Sequence, residues 1–376
     1  MMPLLEWNLD TFSVEAEDNG NTIRIYDESS NSESPTFSDS DCSYGTMSTL
    51  QSEEVASYFR SVSGFTYSSN EDVPVLIPAD TNANKLDVLL HIIVRLCQGG
   101  KNVPCEVDDM LRNGGVDSEN GARVLDVVTN SGTWVEEMAD IYPTASFTSV
   151  DVKPLVPHKP HARIGFQVYN LHAGIMESDA TFDLVHIRQG VFVSRNFNSI
   201  LRDINRVLKP NGYILVTEIP FEAYEGKYFG IGVVLHSLEI MNQASLAEGV
   251  DITVWQDMSS RLDASHPLWE NEWAGAAHSF ENEKGPRATR GFYDITLHSE
   301  PVPLGAWHSD ESQKTLGNLM RIRALHSLQQ ILLAIMSRGS QGAQTTMFLE
   351  SLRQEMTEVE KYRAFMMCRM WVARKR

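Results

Sequence analysis

The sequence has few cysteines and no cysteine motif. Its four cysteines are scattered along the chain, with no CxxC pair and no histidine nearby at the spacing of a metal ligand. They are Cys42, Cys97, Cys105 and Cys368. Because disulfides and zinc sites both need cysteines placed in pairs, we expect a reduced intracellular protein without structural zinc and with no metal site.

A long apolar segment is also missing. The longest apolar run, around residues 88–94, is interrupted by His91 and is far shorter than a bilayer span. No basic stretch precedes an apolar one at the N-terminus, so we expect no secretory signal. These absences predict a cytoplasmic protein that does not bind membranes, with the nucleus as the alternative location.

Basic residues are scarce relative to acidic ones. The 376 residues include 31 Lys and Arg against 50 Asp and Glu, which gives a formal charge of −19. Residues 1–54 hold twelve acids and one base, Arg24, so this segment carries −11 and leaves −8 for the rest. Since nucleic acids and anionic membranes are met by Lys and Arg, the balance argues against both as partners.

Composition and pattern divide the chain into three parts. Residues 1–52 are rich in Ser, Asp, Glu and Asn and hold too little apolar area to pack, so we predict a disordered acidic tail. The alternative is a segment that is phosphorylated or docks a protein partner. Residues 53–115 are predicted to form a helical cap, with a helix–loop–helix pattern up to Gly100. Residues 116–376 form the main domain.

Strands and helices alternate in the main domain. Short apolar runs predict four strands, at 123–128, 145–151, 182–187 and 213–219. Apolar residues at spacings of three and four predict a helix from Phe197 to Leu208, and a second helix is predicted at 134–141. Such alternation favours an α/β fold with a mostly parallel sheet.

After Pro220 the alternation stops, and we predict an insertion over about 221–288. Regular structure resumes with a strand at 291–297 and a long amphipathic helix near Leu325. The chain closes with a strand at 365–374.

The turn after the first predicted strand is the informative stretch for function. In nucleotide-binding α/β units, this turn lets the backbone approach the ligand and leads directly into a helix. Here Val124-Leu125-Asp126-Val127-Val128 is followed by Thr129-Asn130-Ser131-Gly132-Thr133-Trp134. Asp151 ends the second predicted strand, 23 residues after Val128. That offset suits a carboxylate that binds both ribose hydroxyls.

These residues resemble the class I S-adenosylmethionine-dependent methyltransferases, and more narrowly the LaeA-like methyltransferases of fungal secondary metabolism. The family's first motif, LDxGxGxGxW, is matched by Leu125, Asp126, Gly132 and Trp134. Upstream, the family's Tyr and PxD are matched by Tyr67 and Pro78-Ala79-Asp80, and its LDxxH is approximated by Leu86-Asp87 with His91, which comes one residue later than in the motif. Downstream matches are Phe182-Asp183-Leu184-Val185-His186-Ile187-Arg188, Leu208-Lys209-Pro210-Asn211-Gly212, Gly291-Phe292-Tyr293-Asp294 and Pro303-Leu304-Gly305-Ala306-Trp307.

The resemblance runs from about Tyr58 to the C-terminus and implies a Rossmann-like fold. Its sheet would have seven mostly parallel strands, with a helical N-terminal cap and a helical lid insertion. It implies S-adenosylmethionine as the cofactor and a small-molecule secondary metabolite as the substrate. A protein partner held through the acidic tail and a dimer are further expectations.

The resemblance also implies site residues. Those expected to bind the cofactor are Tyr67, Asp126, Thr129, Asn130, Gly132, Asp151 and Asn170. The catalytic residue is not identified; candidates for a general base are His186, His236, His266 and Glu270. Two of these assignments have a structural alternative, because Asp126 could cap a turn and His186 could be a core histidine.

The sequence departs from the family pattern at two of its three motif glycines. Asn130 occupies the second position, and Asn tolerates a positive φ at modest strain. Val128 occupies the first, where a β-branched residue resists unusual dihedrals and places methyl groups toward the methionine part of the cofactor. If its backbone is extended, only the steric intrusion remains. Two alternatives follow: a degenerate fold acting as a regulatory or heterodimer partner, and a methyltransferase-like cyclase or isomerase.

Overall fold

A computed structural model describes residues 17–18, 21–22, 52–117, 121–155, 161–225, 230–270, 290–338 and 342–376. The chain divides into two compact units, Met1–Val55 and Ala56–Arg376. In the first, strand β1 (Glu17–Asp18) pairs antiparallel with β2 (Asn21–Thr22). The predicted tail over 1–52 lies almost entirely outside the described residues.

The start of the second unit differs from the predicted helix–loop–helix. A 3-10 helix at Ser52–Tyr58 is followed by a β-hairpin, formed by β3 (Phe59–Val62) and β4 (Phe65–Ser68). The two residues between the strands, Ser63 and Gly64, both have positive φ, as a tight hairpin turn requires. The predicted helix–loop–helix pattern is therefore wrong at this hairpin, and the assignment of residues 53–115 as an N-terminal helical cap stays a prediction.

Two helices complete the segment before the sheet. Helix α1 (Thr81–Cys97) begins at Asp80, whose carboxylate accepts a hydrogen bond from the Ala83 amide at 2.9 Å. The acid of the PxD motif is therefore a helix N-cap. Helix α2 (Cys105–Arg112) follows.

The sheet and its helices make up the rest of the unit. The strands are β5 (Arg123–Val127), β6 (Ser146–Asp151), β7 (Ile164–Val168), β8 (Phe182–Arg188), β9 (Leu208–Glu218), β10 (Phe292–Pro303) and β11 (Phe365–Lys375). The helices are α3 (Thr133–Ile141), α4 (Phe197–Val207), α5 (Gly232–Ala247), α6 (Val254–Leu262), α7 (Glu311–Met336) and α8 (Gly342–Glu358).

The seven strands form one sheet in the order β10-β11-β9-β8-β5-β6-β7. The five strands from β9 to β7 are parallel to their neighbours, and β11 is antiparallel to both β9 and β10. The predicted Rossmann-like fold with seven mostly parallel strands is confirmed. The chain leaves β5 toward β6 on one side and later returns to β8 on the other, which makes the carboxyl end of β5 a topological switch point.

Both faces of the sheet are buried at its central strands, β5 and β8. Successive residues of a strand point to opposite faces, and here they enter different cores. Val124 and Leu184 pack in a core with α1, α3, α5 and α7, whereas their neighbours Leu125 and Val185 pack in one with α4 and α6. This double burial explains why apolar residues of these strands point to both faces of the sheet.

The predicted insertion contains α5 and α6 among its described residues. In the part of the chain that the structure describes, no helix has the length and apolar character needed to cross a membrane.

Candidate functional site

A cavity opens at the carboxyl ends of β5 and β6, beside the switch point. It encloses about 570 Å³ of empty space, counting the part open to solvent. One side is formed by the turn after β5 and the end of β6, and the other by β4 and the loop before α1. Its lining includes Tyr67, Val75, Pro78, Ala79, Val128, Asn130, Asp151, Lys153, Leu171 and His172. We call it the strand-end cavity. Its position is the one at which open α/β sheets bind ligands.

Asp151 is the acid of this cavity. It ends β6, is 6% exposed, and lines the cavity wall. One carboxylate oxygen accepts hydrogen bonds from the Val152 and Lys153 amides, at 2.7 and 3.3 Å. The other accepts from the Asn130 amide at 3.0 Å and lies 3.5 Å from the Lys153 ammonium. The carboxylate is therefore held rigidly at the strand tip, as a ligand-binding acid should be.

Tyr67 lines the same cavity from β4. The side chain is 2% exposed. Its buried hydroxyl has no hydrogen-bond partner among the described residues. The guanidinium of Arg338 lies 5.9 Å from the centre of the ring. Burial raises the pKa of Tyr67, so the hydroxyl stays protonated and able to donate. An unpaired buried donor at a cavity wall is suited to a polar ligand group.

The turn after β5 keeps its left-handed geometry although two of its glycines are replaced. Val128, Asn130 and Gly132 have φ values of 63°, 54° and 77°. Asn130 stabilises its own turn by donating from its side-chain amide to the Val128 carbonyl at 3.2 Å. Gly132 is the residue at the N-cap of α3, where an added Cβ would lie 2.8 Å from a Leu155 methyl. The retained glycine is thus required by both conformation and space.

Val128 is the strained member of this turn. The extended backbone that would avoid strain is not adopted, and its side chain, 6% exposed, forms part of the cavity wall. A β-branched residue at positive φ costs on the order of 1–3 kcal/mol. Val128 therefore has a strained backbone, and its side chain also intrudes into the cavity.

Substitutions at Val128 should reverse the usual order of alanine and glycine. Val128→Ala loses buried methyl groups and keeps the strain, whereas Val128→Gly loses the same groups and relieves it. We expect the glycine variant to have the higher free energy of unfolding, by about 1 kcal/mol. Urea denaturation measures this. Val127, a buried β5 neighbour without positive φ, is the matched control, where alanine should be the more stable by about 0.5–1 kcal/mol. If the alanine and glycine variants ranked in the same order of stability at both positions, the strain argument would be contradicted.

Asp126 lies beneath the cavity and not in its wall. It is 3% exposed, and its two oxygens are engaged by protein groups: His186 Nδ1 at 2.7 Å and the Ser149 hydroxyl at 3.0 Å. The His186 ring stacks on Trp134, with centroids 3.7 Å apart. Burial lowers the pKa of His186. These contacts give both residues a structural role that needs no ligand.

A second buried polar network ties the turn to the helices. Arg188, at the end of β8, donates to both oxygens of Asp87 at 3.0 and 3.2 Å and to His91 Nδ1 at 3.1 Å. Asp87 also accepts from the Ser131 amide and hydroxyl. His91 Nε2 lies 3.0 Å from Glu137 on α3. The LDxxH motif and the arginine of the FDLVHxR motif therefore form one structure that supports the turn.

The charges in this network follow from its contacts. Burial alone would raise the pKa of Asp87, but the Arg188 charge and the Ser131 hydrogen bonds bring it below its ordinary value. Burial opposes ionisation of Glu137 too, yet contacts with His91 and Asn102 lower its pKa to about 2. Burial lowers the pKa of His91, which stays neutral and accepts from Arg188. The network thus holds ionised carboxylates around one arginine.

The remaining predicted residues lie in other settings. The Thr129 hydroxyl bonds that of Ser149 at 2.7 Å, and the Asn170 amide donates to Asp72 at 2.7 Å. Neither side chain lines the strand-end cavity.

The candidate bases of the insertion are not brought together. His236 is exposed on α5 and has its ring 5.7 Å from that of Phe348. His266 accepts from the Leu268 amide, and Glu270 is exposed. The choice of a catalytic base stays a prediction.

Three polar residues of the strand-end cavity had not been selected from the sequence, and the first, Ser68, directly follows Tyr67. Lys153 follows Asp151 by two residues, and His172 follows Asn170 by two. Burial lowers the pKa of His172, with Asp72 and Asp151 opposing the shift. The available signal was that each lies within two residues of a residue already predicted for the site.

Comparison with known proteins agrees with this architecture. The profile of the family described as "Methyltransferase domain" matches residues 101–330, which is 230 of 376 residues and more than half of the chain. Methyltransferase str2 of Strobilurus tenacellus is 26% identical over 156 residues, covering 41% of this chain and 56% of that protein. Protein-methionine methyltransferase laeA of Emericella nidulans is 24% identical over 219 residues, covering 57% and 52%.

The matched part spans about half the length of these two relatives. Among solved structures, phosphoethanolamine N-methyltransferase 2 of Haemonchus contortus is 13% identical with a TM-score of 0.38. The alignment covers 79% of this chain and 59% of that one. By its matched profile and its fold, the chain belongs to the methyltransferase-domain family, and it is similar in sequence to laeA.

Proposed function

We propose that this protein transfers a methyl group from S-adenosylmethionine to a small-molecule secondary metabolite in a fungal pathway. The observation that carries the proposal is the strand-end cavity, whose lining includes both the rigidly held Asp151 carboxylate and Tyr67, whose hydroxyl has no hydrogen-bond partner among the described residues. An acid at the tip of β6 and a free donor in the same lining suit a ligand with both hydroxyl and carboxylate groups.

The residues present fit the cofactor. Asp151 would hold the ribose, and the Tyr67 hydroxyl and the Lys153 ammonium would meet its other polar groups. Asn130 keeps the turn open beside them. When bound, S-adenosylmethionine supplies an electrophilic methyl group on a sulfonium. The Val128 side chain narrows the cavity, so we expect this site to bind the cofactor more weakly than a site with glycine at that position.

The protein's own contribution is alignment and exclusion of water. The apolar wall formed by Val75, Pro78 and Leu171 would shield a bound methyl group from water, and the Asp87–Arg188 network fixes the turn through its hydrogen bonds to Ser131. A displacement at a methyl group is accelerated mainly by holding the reacting atoms in line. No particular base is needed for an acceptor that is already nucleophilic.

The domain arrangement is part of this proposal. Residues 53–115 would cover the cofactor, and residues 221–288 would cover the acceptor. The acidic tail would dock a partner protein, in the cytoplasm or the nucleus, and the catalytic unit would act alone or as a dimer.

Removing the Asp151 carboxylate should weaken cofactor binding. We expect Asp151→Ala to raise the Kd for S-adenosylmethionine and S-adenosylhomocysteine by about 10- to 100-fold, the value of a hydrogen bond to a charged group. Asp151→Asn keeps an acceptor for the Asn130 amide, so its Kd should lie between those of the wild type and Asp151→Ala. Calorimetric titration of the purified protein measures these constants.

The control is Asp140→Asn, which changes an exposed acid at the far end of α3 and should leave Kd unchanged. No binding of either ligand to the wild-type protein at high micromolar concentration would refute the enzymatic proposal. If Val128→Gly then restored binding, the Val128 side chain would be the group that blocks the cofactor. That result would favour the second candidate, a regulatory partner with a degenerate site. Tight binding without methyl transfer would favour a cyclase or isomerase.

A further inference from the structure

The loop between β4 and α1 forms much of the lining of the strand-end cavity. Residues 69–80, all of which the structure describes, connect the two elements without forming a helix or strand. We call this segment the β4–α1 loop. Its cavity-lining residues are Val73, Pro74, Val75, Ile77, Pro78 and Ala79. A ligand in the cavity would therefore contact this loop along much of its length.

The two halves of the loop are held differently. In the second half, Leu76 is 3% exposed and packs in the core with α4 and α6, and the Ala79 amide donates to a carbonyl of β4 at 2.8 Å. In the first half, over residues 70–75, the Val73 amide bonds within the loop itself, to the Asn70 carbonyl. The position of this first half therefore depends on side chains from elsewhere in the chain.

Three charged side chains hold residues 70–75. The Val75 amide donates to the Glu248 carboxylate at 3.2 Å, and the Val75 carbonyl accepts from Arg338. The Glu71 carbonyl accepts from Arg195. These contacts provide partners for backbone groups that a segment without secondary structure cannot pair internally.

Glu248 connects the two arginines. It directly follows α5, and its carboxylate lies 3.3 Å from Arg195 and 3.4 Å from Arg338. The three side chains are between 22% and 38% exposed, so one isolated pair would contribute little. Here, however, a single carboxylate is shared by two guanidinium groups and a backbone amide of the loop. Removing its charge weakens all of these contacts together.

A further hydrogen bond fastens the loop to the segment after β7. The Asn170 amide donates to the Asp72 carboxylate at 2.7 Å. The two residues that follow Asn170, Leu171 and His172, belong to the cavity lining. The first half of the loop is thus held closed from two directions, by the Glu248 contacts and by Asn170.

We propose that Glu248 is a positioning residue for the strand-end cavity, which keeps the β4–α1 loop closed and thereby controls how fast a ligand enters and leaves. The inference rests on the proposed function for the identity of that ligand. Closure of a loop over a ligand limits its exchange in many enzymes. Because the Glu248 contacts involve protein groups alone, they favour the closed loop equally in the free and the bound protein. Weakening them should raise the association and dissociation rate constants by the same factor.

Hydrogen exchange of the full chain without ligand tests the closed loop directly. In Glu248→Gln, the amides of residues 70–76 should exchange about 3- to 10-fold faster, because the loop opens more often when the carboxylate charge is lost. Glu239→Gln is the matched control, since it removes an exposed charge on the same helix whose partner is Gln243, and its loop should exchange as in the wild type. Mass spectrometry of the peptide that covers the loop measures the rates.

The kinetics of S-adenosylhomocysteine binding distinguish a positioning role from damage to the site. In stopped-flow experiments, Glu248→Gln should raise both rate constants by about 3- to 10-fold and change Kd by less than about 2-fold. Asp72→Ala, which removes the contact with Asn170, should act in the same way. Glu239→Gln should change neither rate constant. A damaged site would instead release the ligand faster without binding it faster, so its Kd would rise.

The proposal is overturned if the loop of Glu248→Gln exchanges as in the wild type, or if dissociation becomes faster while association does not. No binding of S-adenosylhomocysteine to the wild-type protein would refute the proposed function, and the hydrogen-exchange result would then decide whether Glu248 keeps the loop closed.

Discussion

Replacing Arg188 with methionine should lower the free energy of unfolding by about 3–5 kcal/mol, because one charge of a buried pair is removed and the other remains. The Arg188 and Asp87 side chains are 4% and 11% exposed. Without the guanidinium, Asp87 keeps its charge in a buried setting and His91 Nδ1 loses its donor. Urea denaturation followed by circular dichroism measures the change.

Two variants test the cause of that loss. Adding Asp87→Asn to Arg188→Met removes the uncompensated charge while keeping an acceptor for Ser131, so the double variant should recover at least about 1 kcal/mol. Arg353→Met breaks an exposed pair with Glu350 and should change stability by less than about 0.5 kcal/mol. A double variant no more stable than Arg188→Met would contradict the electrostatic explanation.

The sheet could be predicted from the sequence because its strands are buried on both faces. The run from Val124 to Val127 is apolar on both faces apart from Asp126. That pattern is typical of a strand buried on both sides of an α/β sheet. The helix Phe197–Val207 was predicted from its apolar spacing. The strand at Ile164–Val168 was not, because its sequence, IGFQV, is short and only partly apolar.

The hairpin at residues 59–68 shows a limit of pattern reading. Its strands are four residues each, too short for alternation to be distinguished from the face of a helix. The signal that was present is Ser63-Gly64, a dipeptide suited to a two-residue turn.

Within the site, the sequence identified motif residues but not their contacts. Asp126 is hydrogen-bonded to His186, 60 residues away in the sequence, and Asn170 is hydrogen-bonded to Asp72, 98 residues away. Family position alone suggested that Asp126 and Asn170 face the cofactor, whereas tertiary contacts occupy their polar atoms. Asp151 differs because it ends a strand at the switch point, and that geometry follows from the α/β order itself. The prediction for Asp151 rested on topology, and the residue lies in the cavity wall together with Tyr67 and Asn130, which the motifs suggested.

Glu218 is a buried acid that no motif suggested. It ends β9, is 0% exposed, and accepts a hydrogen bond from the Val191 amide at 3.2 Å. Its second carboxylate oxygen is buried without a partner among the described residues. Burial raises the pKa of Glu218 to about 8, against an ordinary value of 4.5, and the backbone amides of Gly190 and Val191 only partly oppose the shift.

This shift should make stability fall as pH rises. Between pH 4.5 and 8 the folded protein keeps a proton on Glu218 that the unfolded chain releases. The corresponding stabilisation is fully present below pH 4.5 and is lost as pH rises through 8, by up to about 5 kcal/mol. Glu218→Gln keeps an acceptor for Val191 and cannot ionise, so it should become progressively more stable than the wild type over this range.

Urea denaturation at pH 5.5, 6.5, 7.5 and 8.5 measures the difference between Glu218→Gln and the wild type. The difference is the informative quantity, because buried histidines such as His91 and His186 have lowered pKa values and make stability rise with pH in both proteins alike. Glu71→Gln, at an exposed carboxylate, should show no trend with pH. If the Glu218→Gln difference were also flat, the buried acid would have to be ionised in the folded protein, with the unpaired oxygen satisfied by water that reaches the end of β9.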